Sequence, residues 1–211
     1  MNCPPLTCSP FLRPAAALVS VTTVLLLSAC ASSPAQLDLA GRNARPTSPS
    51  PAGANEKPAA SRIEVHLLPL IDGRADHWQT HQGNVAGRTV EVSELLTWID
   101  LALADLAGER FLIRRSENAP PGVWSVQPVL LKAYSSSLSV SKTATLLLDL
   151  TLTDPHGRAR RHTHRGQVTN ANWASATGEL ESSWRQALER CIASIAASID
   201  TSLRYHEHLA P

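Results

Sequence analysis

Past residue 30 this chain has no long apolar run, a single cysteine, and no excess of charge of either sign. Each shortage excludes something. Without a stretch of about 20 apolar residues, the body of the chain does not thread a bilayer as a helix. Removing residues 1–29 takes away one basic side chain, Arg13, so the 19 Lys+Arg fall to 18 and balance the 18 Asp+Glu. A neutral protein has no bulk attraction for nucleic acid or anionic lipid. There is also no G-x-S-x-G, no H-E-x-x-H and no phosphate-binding loop, which leaves a hydrolase without a motif to stand on.

What is present begins with residues 1–29, which have the three parts of an export signal. Arg13 is the one charge near the amino terminus, Ala15 to Leu27 are apolar, small or hydroxylated, and Leu27-Ser28-Ala29 place small residues before Cys30. Such an apolar core is the length of a signal h-region and too short for a stable span. The order Leu-Ser-Ala-Cys at its end resembles the lipobox of bacterial lipoproteins. That resemblance implies a diacylglyceryl group on the Cys30 thiol, cleavage just before it, and palmitate-type acylation of the new amine. Two or three acyl chains on one residue anchor stably where one chain is marginal. Cys3 and Cys8 leave with the signal, so Cys191 is left without an intrachain partner.

Residues 30–61 are expected to be a disordered linker. They are rich in Ala, Ser and Pro, include Pro34, Pro46, Pro49, Pro51 and Pro58, and hold no aromatic residue. Such a composition cannot bury enough apolar surface to offset chain entropy. In polyproline geometry it would reach about 90 Å from the membrane. Residues 62–204 are expected to form one domain holding all five tryptophans, followed by a tail over 205–211.

Within that domain the pattern predicts a strand over 62–71, a loop to about 88, and a helix opened by Ser93 with Leu96, Ile99, Leu103 and Leu106 at helical spacing. Gly108 stands where a helix C-terminal glycine belongs. A second strand follows over 110–115. Residues 123–134 give a third, irregular or at an edge because of Pro128. In "TATLLLDLTLT" Leu146, Leu148, Leu150 and Leu152 share one face, and "DPHG" supplies turn chemistry before the hairpin partner 158–168. Trp184, Leu188, Ile192, Ile195, Ile199 and Leu203 then form one stripe of a long helix, with Cys191 at its margin as a small buried hydrophobe. The order β-α-β-β-β-β-α reads as an α+β two-layer sandwich, an antiparallel-rich sheet covered on one face by two helices.

Three groups of side chains are candidates for chemistry. His77 with His81, His162 with His164, and His206 with His208 are spaced for a metal, but no thiol lies near to complete a structural zinc site, so solvated histidines are the simpler reading. Ser135-Ser136-Ser137 is a polar patch at a strand end. The basic arm "RARRHTHR" puts Arg158, Arg160, Arg161 and Arg165 on a strand with no apolar face, either to meet an acidic partner or to block edge-to-edge association. Glu91, Glu94, Asp100, Asp105 and Glu109 make the first helix and its flanks acidic, so head-to-tail self-association is a second use for that arm.

"LPLIDGRAD", "KAY" and "LLLDLTLTDPHGRARRHTHRGQV", with the helix from Trp173 to Leu203, resemble the YajG-like lipoproteins of Gram-negative outer membranes. The same order is similar to the ABC-transport auxiliary lipoproteins of PqiC type. The resemblance covers residues 62–204 and lies in element order and turn positions; the proline-rich linker and loop tryptophans depart from it. It implies a non-enzymatic cell-envelope protein with no cofactor, no metal and no catalytic residue. It places a periplasmic domain on an outer-membrane anchor, with a lipid-transport subunit or a metal or small-molecule carrier as the alternatives. Ala31 after the lipid cysteine agrees with outer-membrane sorting.

Replacing Cys30 by Ser is expected to abolish incorporation of labelled palmitate into the protein. Palmitate retained by that variant would place the anchor elsewhere.

Overall fold

The computed structural model describes residues 34–39, 62–138, 141–171 and 176–209, all within one compact unit, Pro34–Pro211. In chain order the elements are β1 (Ala35–Leu37), β2 (Ile63–Leu67), β3 (Ile71–Asp72), α1 (Asp76–Gln79), β4 (Gly83–Val85), β5 (Arg88–Val92) and α2 (Leu95–Ala104), followed by β6 (Phe111–Arg115), β7 (Trp124–Leu138), β8 (Ser141–Thr153), β9 (Ala159–Ala171) and α3 (Ala176–Leu209).

The α+β sandwich expected from the sequence is present. β7, β8 and β9 form a long antiparallel meander, and α3 packs on β8 and β9 while touching α2. Leu146, Leu148, Leu150 and Leu152 are all buried, as the alternation requires, against Leu180, Trp184, Leu188, Cys191, Ile195, Ile199 and Leu203 of α3. Gly166 in β9 lets the helix come close: a Cβ there would stand 1.8 Å from the Ala187 carbonyl oxygen.

On its other side β7 is a shared rail for three short partners. β2 pairs parallel with it through Val126, β3 parallel from Val129, and β4 parallel at Ser135 and Ser136. Pro128 falls in the interval between β2 and β3, so its missing N–H costs a bond to neither. This corrects the edge alternative, because β7 is central, while the irregular one holds, since the register against β8 shifts between Leu130 and Lys132. It also tempers the expectation of an antiparallel-rich sheet. The long pairings are antiparallel, but β1–β5 and β2–β6 join those three as parallel pairs.

Four other local expectations are corrected. The segment between the first strand and helix is not a plain loop, since it folds β3, α1, β4 and β5. Ser93 does not cap α2, whose N-cap is Glu94 in the left-handed region at φ 52°. Gly108 serves packing, with the Phe111 ring 2.1 Å from where its Cβ would stand. α3 continues to Leu209, so His206 and His208 belong to the helix and not to a tail.

The largest correction concerns the linker. Residues 35–37 of that segment pair parallel with Val90–Val92, and Leu37 and Leu39 are 0% and 3% exposed. Two leucines that join the main hydrophobic core suffice where overall composition argues for disorder. Residues 30–33 and 40–61 lie outside the described residues.

Leu37→Ala is expected to cost about 2–5 kcal/mol of stability in urea unfolding, as a fully buried leucine does. Leu138→Ala, at 77% exposure, is expected to stay within about 0.5 kcal/mol of the parent. Equal values for the two would mean that β1 does not belong to the core.

Candidate functional site

β9 does have an inward face. Its register against β8 sets Arg160 opposite Leu152, His162 opposite Leu150, His164 opposite Leu148 and Gly166 opposite Leu146, the buried leucine row. Arg161, Thr163 and Arg165 alternate onto the outer face. The four arginines expected as one surface are therefore divided between two.

Most of them are engaged within the fold. Arg158 pairs with Asp154 at 2.7 Å, Arg161 pairs with Asp149, and Arg165 donates to the Gln167 side chain. Arg160 alone of the four has an aromatic partner, its guanidinium 4.9 Å from the Tyr205 ring centroid. As structure, these contacts tie the hairpin to itself and to α3.

The carboxylates involved are held ionised. Thr163 donates a hydrogen bond to Asp149 and, against the effect of burial, Arg161 adds another, so its pKa lies below the usual carboxylate range. Burial alone would raise Asp154, but N–H groups of Arg158 and His156 and the Arg158 guanidinium together hold it low. Arg74 does the same for Asp72, first through its side-chain hydrogen bonds, in the predicted "DGR" stretch.

Two concave surfaces flank this framework. Between β9 and α3 runs an open groove of about 460 Å³ lined by Arg160, His162, Ser194, Ser198, Ser202 and Tyr205, with no carboxylate among the lining residues. Ser202 is 8% exposed, and the His162 Nε2 is buried without a hydrogen-bond partner. Hydroxyls, an imidazole and a guanidinium can together receive the oxygens of an anion or a polar group. The second is a cleft of about 550 Å³ at the carboxyl ends of the parallel strands β2 and β6, where open α/β sheets commonly take ligands. Leu67, Leu68, Leu70 and Leu96 give it apolar walls, and the Arg115–Asp100 ion pair at 2.8 Å stands at its rim.

The histidine pairs do not converge. His77 and His81 flank the Trp78 ring, and His81 falls beyond the end of α1, so the helical four-residue spacing is not realised. His162 and His164 have ring centroids 6.4 Å apart; His164 bonds Ser194, and burial lowers its pKa, with His162 adding to the effect. His206 stacks on His156 and meets the Trp124 edge. Among the described residues no three His, Cys, Asp or Glu side chains are grouped to hold a metal ion. Ser135 is buried and accepts the Trp184 indole N–H at 2.8 Å. Cys191 is buried, its thiol pushed up to about 12 by desolvation, and therefore inert. Cys30 lies outside the described residues.

The groove escaped sequence reading because its members are scattered over forty-odd positions and none is unusual alone. The one local signal was the row Ser194, Ser198, Thr201, Ser202 beside the apolar stripe of α3.

The sequence matches no family model and no curated protein. Among solved structures, a Xanthomonas campestris protein of the DUF330 family overlays with a TM-score of 0.50 at 12% identity, over 71% of this chain and 92% of that one. The rare lipoprotein B of Shewanella oneidensis gives 0.37 at 13%, over 67% and 98%. A Neisseria meningitidis lipoprotein gives 0.28 at 11%, over 66% and 99%. The first likeness establishes a shared fold; the other two are too loose to add to it.

The stability of the domain should fall in two steps as pH is lowered. His164 has a lowered folded pKa, so the stability due to its neutral form is complete above about pH 6.5, the ordinary histidine value, and is lost as pH falls through the folded value. Asp149 and Asp154, also lowered, contribute fully above about pH 3.9 and lose that contribution below it. Urea midpoints measured from pH 7 to pH 3 should therefore fall at both steps, and Asp149→Asn should flatten the lower one. A variant curve parallel to the parent would show that Asp149 is not so held.

Proposed function

We propose that this chain is a lipid-anchored protein of the bacterial cell envelope that acts by binding or assembly, not by catalysis. The observation that carries the reading is Leu-Ser-Ala-Cys30 at the end of an h-region, followed by a domain of its own. A shared fold with a DUF330 protein is compatible with it. Outer-membrane placement with the domain in the periplasm is the finer form of the proposal, supported by Ala31. No helix among the described residues is long and apolar enough to cross a membrane.

The titratable groups favour binding over catalysis. General acids and bases are tuned toward the working pH. Here Asp72, Asp149 and Asp154 are shifted the other way and spent on Arg74, Arg161 and Arg158.

The second reading, an auxiliary subunit of an ABC-type lipid transport system, is favoured by the leucine-walled cleft beside α2, which suits an apolar ligand or partner segment. A photocrosslinking residue at Leu70 and another at Arg160, in the lipidated protein in cells, would separate the uses. Transporter subunits captured at either position support the auxiliary reading. Capture of this chain alone would favour self-association and remove it.

A further inference from the structure

We infer that the end of the sheet carrying the β7–β8 connection faces the bilayer, with Leu138 in contact with lipid. This rests on the lipoprotein reading and follows from β1. Had residues 30–61 been a free linker, the domain would work far from its membrane in any orientation. With Ala35 already paired to Val90, only Ala31 to Pro34 separate the lipid-bearing residue from the sheet. Five extended steps span at most about 18 Å.

The direction is fixed by strand polarity. β1 runs parallel to β5, β5 antiparallel to β4, and β4 parallel to β7. β1 is therefore opposite in sense to β7, so its amino-terminal residue, Ala35, lies toward the end of the sheet that β7 reaches at Leu138. The registers agree. Asn84 pairs with both Thr89 and Ser136, a row one residue nearer that end than the Ala35–Val90 pair. β1 and β7 are three strand spacings apart, about 14 Å.

At that end stands Leu138, 77% exposed, the most exposed of the large apolar side chains among the described residues. An isolated exposed leucine needs no explanation on most surfaces. Here it lies at the end of a long hairpin, on the side of the sheet where β1 begins. Lys142, which would otherwise bring a charge to the tip, is turned in and paired with Glu179 at 3.2 Å. The opposite turn, with Asp154, His156 and Arg158, is thirteen residues away along β8, about 40 Å. Arg160 and the groove beside it then face away from the membrane that holds the anchor.

The test uses the full lipidated chain in phosphatidylcholine vesicles, with Leu138→Cys labelled by an environment-sensitive fluorophore and Ala119→Cys, before the start of β7, as the distal control. Cys30 is blocked by lipid, and the buried Cys191 thiol does not react. At position 138 the emission should shift to the blue and lose intensity when doxyl-labelled lipid is included; at 119 neither should change. A Gly/Ser insert between Ala31 and Pro34 should weaken both effects at 138. Identical emission at 138 and 119 in protein that floats with the vesicles would overturn the orientation and leave the anchor intact. Failure to float would remove the anchor, and the orientation with it.

Discussion

The contact on which the domain depends is the approach of α3 to β9 at Gly166. With a Cβ at 1.8 Å from the Ala187 carbonyl, any other residue would push the helix away from the strand. Close approach is what allows the leucines of β8 and the stripe of α3 to meet, and apolar burial there supplies most of the driving force. Burial alone would tolerate sliding of the helix along the sheet. The polar pins prevent it: Lys142 to Glu179, the Trp184 indole to Ser135, and His164 to Ser194 fix the helix at points spread along its length. Each pin is buried or half-buried, so a shifted register would leave an unpaired polar group.

Much of this was legible in the sequence, and the parts that were not share a cause. The leucine alternation of β8 and the three-to-four spacing of α3 are strong because each serves one face of a regular element. The turn at Asp154 was legible because Asp, Pro and Gly act locally. What failed was everything decided by a distant partner. β1 is three residues in a proline-rich stretch, and only the cluster around Val90 and Val92 makes a strand of it. Pro128 signals an edge until β7 is found to have two successive neighbours on one side. Arg158, Arg160, Arg161 and Arg165 read as a single patch because a strand without apolar alternation carries no sign of which side faces inward. Its inward face is made of His162, His164 and Gly166, types that carry no hydrophobic signal.

That same alternation bears on what the basic arm is for. Two acids, Asp149 and Asp154, occupy positions on or beside β8 and neutralise two of its charges at short range. Their hydroxyl and N–H donors matter more than the ion pairs themselves, because Arg158 and Arg161 are largely exposed and screened by solvent. Arg161 thus closes the outer face of the hairpin while Arg158 is spent on Asp154 beside α3, and neither adds much attraction for a distant acidic partner. Arg160 differs because it lies on the α3 side, over Tyr205, beside hydroxyls and an imidazole in a groove with no carboxylate among its lining residues. Arg161, which holds the strand, and Arg160, left to recognise a ligand, are sorted onto opposite faces of one strand. A sum over the segment hides that division. For a chain with a formal net charge of only +1, the consequence is that recognition has to be local and short-ranged, decided by the shape of a groove or cleft and not by long-range steering.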